Sequence, residues 1–370
     1  MKRFVFCITV LMFLSLFFFS FIRNTEGQDK HDFSVIAYYS GDSKTIDNYD
    51  VKKLTHIIYS FCHLKGNRLS VDNGGDSATI MKLVSLKKDN PKLKVLLSLG
   101  GWGGCEFCSP VFANDAGRKE FAKSVKEVND FFKTDGIDLD WEYPAIEGHP
   151  GHAYTAADKP NFTALVKAIR TSLGNKHEIS FAAGCFPKFL EQSIEWKEVM
   201  PMINYVNIMS YDLVNGYSTA TGHHTPLYST TSQKESADNA VSYLVSMGVP
   251  ANKIVIGAAF YARTWENTDS LNNGLYRPGK FKSFVPYRQF DIRLAEGDGF
   301  VFYRDTSAKA PYAYSVSKKT FATFDDPLSI QDKTKYVINK GLKGIMFWEL
   351  SLDKQAGGLL DAIDRVKKGN

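Results

Sequence analysis

The segment DGIDLDWEYP, residues 135–144, sets four carboxylates within eight positions: Asp135, Asp138, Asp140 and Glu142. Ile137, Leu139 and Trp141 are interleaved with the last three. Successive side chains of an extended strand point to opposite faces. Ile137, Leu139 and Trp141 therefore share one apolar face, and Asp138, Asp140 and Glu142 share the other. A solvated run of charge on a loop or helix face has no such alternation. Carboxylates roughly 6–7 Å apart on one face of a strand repel when partly buried, so at least one should keep its proton near neutral pH. A carboxylic acid protonated at neutral pH is what general acid catalysis requires. Two plainer readings are a metal site and an exposed strand with a polar face; the expectation here is a catalytic site with no metal and no cofactor.

Side chains this crowded need a rigid frame, and the rest of the chain supplies one. Apolar runs rich in β-branched and aromatic residues recur at 34–40, 56–64, 94–102, 136–143, 179–186, 205–213, 253–264 and 344–350. Near-continuous apolar strands indicate a parallel sheet covered on its outer face. Helical patterns lie between most of them. One starts near Asn114–Asp115 and carries Phe121, Val125, Val128 and Phe132, and another follows Asp158 with Pro160 in its first turn. Eight such units predict a (β/α)8 barrel. The alternative, an open doubly wound sheet, lacks a glycine-rich phosphate loop after any strand. Roughly 80 residues separate the seventh run from the last, more than one crossover needs. Residues 266–326 are strand-rich and aromatic and are expected to form a small α+β domain inserted between strands seven and eight. A helix over 329–341, with Ser329 and Asp332 in capping positions, is expected to follow.

Chemistry in such barrels gathers at the carboxyl ends of the strands. Those ends read Tyr38, Phe61, Trp102 after SLGGW, DWEY, MSYD with Met209, Tyr211 and Asp212, then Tyr261 with Arg263, and Trp348. Aromatic faces stack on the C–H faces of sugars, while polar groups fix the hydroxyls. A ring of aromatics around a carboxylate centre therefore points to a carbohydrate site.

The chain has 370 residues, 44% hydrophobic and 14% aromatic, enough for one large core. Its first 22 residues are two basic residues and a long apolar run, and small Thr25 and Gly27 precede a cleavage point before Gln28. This predicts a signal peptide over 1–27 and a secreted or periplasmic mature chain, 28–370. An uncleaved anchor is the alternative; no later stretch is long and apolar enough to span a bilayer. Cleavage lowers the formal charge from +5 to +3, too mild to indicate nucleic acid. Four cysteines then remain. Cys105 and Cys108 could form a redox motif or half a zinc site, but no second pair accompanies them, and a local disulfide is expected.

The strand-four pattern Asp-x-x-Asp-x-Asp-x-Glu, matched by Asp135, Asp138, Asp140 and Glu142, resembles that of family 18 glycoside hydrolases, the chitinase family. Ser98, Gly100 and Gly101 resemble the family's strand-three Ser-x-Gly-Gly. The likeness covers essentially the whole mature chain, the inserted segment resembling the chitinase insertion domain. It implies hydrolysis of β-1,4-linked N-acetylglucosamine polymers with retention, the substrate's own 2-acetamido group acting as nucleophile. It further implies that Glu142 is the acid and then the base, that Asp140 orients the acetamido group, and that Asp138 shares its proton. Tyr211 would donate to the acetamido oxygen beside Met209 and Asp212, and Trp348 would floor the reacting sugar. Tyr261 and Arg263 would contact substrate, and Trp102 would lie on the leaving-group side. The expected partners are chitin or its oligosaccharides, bound by a monomer. An endo-N-acetylglucosaminidase acting on N-glycans or peptidoglycan, and a non-hydrolytic lectin of the same fold, are the rival readings.

Overall fold

The computed structural model describes residues 33–369, and the expected signal segment lies outside the described residues. Eight parallel strands form the barrel: β1 (Ser34–Tyr39), β2 (His56–Lys65), β3 (Lys94–Gly100), β4 (Gly136–Asp140), β5 (Glu178–Gly184), β6 (Tyr205–Met209), β7 (Ile254–Ala259) and β8 (Gly344–Trp348). Each pairs with its sequence neighbour, and β1 pairs with both β2 and β8, which closes the ring. Every residue of β1, β4 and β7 is buried, as expected where helices cover the outer face and side chains fill the interior.

The helix Asp115–Phe132 shows why the frame holds. Asn114 caps it by accepting from the Gly117 amide at 2.8 Å. Phe121, Val125 and Phe132 are buried as expected, whereas Val128 is only partly buried, because Ser124 and Asn129 take the remaining inward positions. Ser124 repays that place by donating to the Phe121 carbonyl and accepting from the Leu69 amide. Full burial of each such Val or Phe contributes about 1.5–3 kcal/mol. The helix before β8 runs Pro327–Asn339, with Asp326 as its cap and Ser329 completing the capping box. The start is therefore earlier than expected, and Asp332 has no capping role, because Asp326 stands one residue before a proline suited to the first turn.

A second sheet lies between β7 and β8. It is antiparallel and five-stranded, ordered Lys280–Pro286, Tyr261–Glu266, Thr320–Thr323, Ala310–Ser315, Phe300–Asp305. Trp265, Leu275, Tyr312, Tyr314 and Phe321 form its core. The apolar run 253–264 thus belongs to two sheets. The chain leaves the barrel at Phe260, whose ring stacks on Phe347 at 4.1 Å, and Tyr261 already pairs in the second sheet. Residues from Phe33 onward cluster as one compact unit.

Candidate active site

Strand β4 presents its carboxylates as a staircase. Asp138 is the deepest and fully buried. Its Oδ2 accepts from the Tyr38 hydroxyl at 3.0 Å and Ser98 Oγ at 2.9 Å, and its Oδ1 accepts from Ser180 Oγ at 2.6 Å and Asn207 Nδ2 at 3.2 Å. Burial pushes its pKa up and these donors pull it back. Asp140, two residues on, has no such support. Its Oδ1 is buried with no hydrogen-bond partner among the described residues. Burial first, then the charges of Glu142 and Asp138, hold its pKa well above the usual carboxylate range. Of the two, Asp138 with four donors is the better seat for charge and Asp140 the better seat for a proton.

Glu142 lies just past the end of β4 and is partly buried. Burial raises its pKa to about 7; a hydrogen bond from Tyr143 opposes the shift and the nearby Asp212 charge adds to it. That value suits a group which must give and take back a proton near neutrality.

Asp212 follows β6 in a left-handed conformation, φ 57°. Arg263 grips its carboxylate in a fork, Nε to Oδ1 at 2.8 Å and Nη2 to Oδ2 at 2.5 Å, and His224 Nδ1 lies 3.4 Å from Oδ1. Burial alone would raise the pKa of Asp212, but His224 and Arg263 outweigh it and keep the group ionised far below the usual range. The clamp also locates Tyr261 and Arg263. Both lie on the first strand of the second sheet rather than at the end of β7, and the Arg263 guanidinium sits 5.4 Å from the Tyr261 ring. Tyr261 meets Tyr211 edge-on at 6.3 Å, and the Tyr211 hydroxyl lies 3.8 Å from Met346 Sδ. Met209, partly buried, ends β6.

Aromatic side chains ring this centre. Trp348 stacks on Phe61 at 5.5 Å and tilts against Tyr38 at 5.9 Å. Trp102 is 47% exposed and meets Tyr143 at 6.4 Å and Tyr217 at 6.2 Å. Two glycines let β3 approach. Gly100, φ +109°, passes so close that a Cβ would lie 2.3 Å from the Asp140 carbonyl oxygen, and one on Gly101, φ +79°, would meet Phe61 at 2.4 Å. Cys105 and Cys108 are joined in a disulfide just beyond Trp102, while Cys62 and Cys185 are free and buried.

Sequence reasoning missed several members of this site. Asn207 on β6 and Ser180 on β5 alternate with apolar neighbours, a signal that could have marked them as facing Asp138. His224 and Tyr217 lie in a loop whose folding back onto the site nothing in its composition indicates. Tyr38 was expected to touch substrate; its ring is buried and its hydroxyl is engaged by Asp138.

Residues 34–353 match the family model described as Glycosyl hydrolases family 18. The chain is 30% identical to chitotriosidase-1 of Mus musculus over 83% of this chain and 69% of the relative. It is 29% identical to chitinase A1 of Niallia circulans over 87% of this chain, and spans 57% of that longer protein. Among solved structures, a family 18 N-acetylglucosaminidase from Paenibacillus barengoltzii superposes with a TM-score of 0.83 at 35% identity, covering 90% of this chain and 99% of that one. A closed barrel whose fourth strand carries Asp138 and Asp140 and is followed at once by Glu142, matched along nearly its whole described length, leaves one assignment: the chain belongs to glycoside hydrolase family 18.

Proposed function

We propose that this protein is an exported, monomeric chitinase that hydrolyses β-1,4 bonds between N-acetylglucosamine units with retention and with help from the substrate. The observation that carries the reading is the division of labour along β4 and the residue just past it: Asp138 with four hydrogen-bond donors, Asp140 with a raised pKa and a buried oxygen lacking a partner among the described residues, and Glu142 with its pKa raised to about 7. A double-displacement glycosidase needs a carboxylate nucleophile about 5 Å from its acid. Asp212 is unsuited to that role, since both its oxygens are taken by Arg263.

In this account Glu142 protonates the glycosidic oxygen and the bond to the anomeric carbon breaks. The acetamido carbonyl oxygen, held by Tyr211, bonds to that carbon and closes a five-membered oxazolinium ring. Asp140 passes its proton to Asp138 and accepts the acetamido N–H, so a carboxylate faces the positive charge as it develops. Water then attacks the anomeric carbon, Glu142 takes its proton, and the ring reopens with the original configuration. Trp348 floors the reacting sugar, Phe61 packs behind it, Met209 and Arg263 line its edge, and Trp102 receives the leaving group. The second sheet forms one wall of the groove. The presence of Glu142 argues against a non-hydrolytic lectin.

A second reading, removal of single sugars from chain ends, is favoured by the 35% identity to the Paenibacillus N-acetylglucosaminidase. The deciding experiment offers N-acetylglucosamine pentamer, peptidoglycan and an N-glycoprotein side by side and identifies products by mass spectrometry. Dimers and trimers released from the pentamer support the proposal. Monomer as the sole initial product supports the second reading, and cleavage confined to the glycoprotein or peptidoglycan contradicts both.

A further inference from the structure

Trp102 is the most exposed of the chain's five tryptophans, yet its ring is contacted by other rings on several sides. Besides Tyr143 and Tyr217 it touches a third ring, that of His149, edge-on at 5.4 Å with 66° between planes. This is the shortest of the three contacts. His149 comes from the loop that follows Glu142 and is backed by His152, ring to ring at 4.6 Å. The backbone next to Trp102 also runs against it: a Cβ on Gly103 would lie 3.5 Å from His149 Nε2 and Cδ2. His149 Nδ1 is buried without a hydrogen-bond partner among the described residues, so ring contacts rather than a polar anchor fix this side chain.

We infer that His149 is a positioning residue that braces Trp102 as a preformed platform and thereby sets affinity for long leaving groups. The inference deepens the proposed function and rests on its placing of Trp102 beside the leaving group. A sugar that stacks on an unbraced indole must also immobilise it, whereas a braced ring has already lost that freedom. The loop linkage also ties the platform to the acid: Glu142 and His149 belong to one continuous segment, so the platform and the proton donor are held in fixed register.

The test compares wild type with His149→Ala and His149→Phe, the latter keeping an aromatic edge against Trp102 without the imidazole. With N-acetylglucosamine hexamer, His149→Ala should raise KM by about three- to tenfold, the scale of one lost aromatic contact, with kcat nearly unchanged. With the glycosyl fluoride of N-acetylglucosamine or its dimer, whose leaving group is a single atom, both constants should stay at wild-type values. His149→Phe should restore the hexamer KM. Acrylamide quenching of tryptophan fluorescence needs no substrate, so it reads the brace even if the proposed substrate is wrong; quenching should increase in His149→Ala and return in His149→Phe. Unchanged quenching and unchanged hexamer KM in His149→Ala would overturn the inference. So would an equal loss on the fluoride, which would place His149 in support of Glu142, or a failure of His149→Phe to restore either signal.

Discussion

In the role proposed for it, Glu142 is an acid only while it holds its proton, and a pKa raised to about 7 sets the limit. As pH rises through that value the protonated fraction falls, so kcat/KM should decline above pH 7 by about tenfold per unit. The Asp212 charge is one cause of the raised value. Asp212→Asn removes that charge and keeps the shape, so the alkaline limb should move to lower pH; a pH–rate profile checks the direction, and a shift to higher pH would contradict it. Glu142→Gln should lower kcat by about 10²–10⁴-fold, while oligosaccharide affinity measured by calorimetry stays near that of wild type. The carboxylates proposed as catalytic were legible in the sequence because strand alternation is a local property: Asp138, Asp140 and Glu142 could be read from their spacing alone. The groups that divide charge among them were not. Ser98, Ser180, Asn207 and Tyr38 reach Asp138 from four other strands, and only the closed ring brings those strands together.

At the scale of elements, one buried ion pair ties three parts of the fold together. Lys333 Nζ, on the helix before β8, reaches Asp325 Oδ2 at 2.6 Å and Thr225 Oγ1 at 2.5 Å, and both charged side chains are fully buried. The same Asp325 oxygen accepts from the Ala259 amide at the end of β7, and Oδ1 accepts from Ser329 Oγ. The exit from the barrel, the return from the second sheet and the start of the helix thus share one carboxylate. Burial lowers the Lys333 pKa, and Asp325 opposes that shift. Lys333→Met leaves Asp325 without its counter-charge and should cost about 3–5 kcal/mol of stability, the usual penalty for breaking a buried pair. Denaturant unfolding measures it, and a loss below about 1 kcal/mol, typical of exposed pairs, would show that Asp325 is satisfied without the lysine. The sequence located the helix but not its start, because Asp326 and Ser329 are both acceptable caps and only the observed capping box chooses between them.

At the scale of the molecule, a single residue, Phe260, separates the last residue of β7 from the first strand of the second sheet. Eight apolar runs were enough to read the barrel. The start of the second sheet was hidden, because Tyr261–Glu266 follows β7 after Phe260 alone, and no Gly, Pro, Asn or Asp marks a turn between them. That hidden strand carries Tyr261 and Arg263, so the second sheet supplies the clamp on Asp212. The whole arrangement serves one claim, that the nucleophile belongs to the substrate. The most direct measurement mixes the enzyme with fully acetylated and fully deacetylated oligomers and follows the released ends by proton NMR. The account predicts cleavage of the acetylated oligomer alone, with the β-anomer appearing first. Comparable cleavage of the deacetylated oligomer, or first appearance of the α-anomer, would contradict it and remove the role given to Asp140.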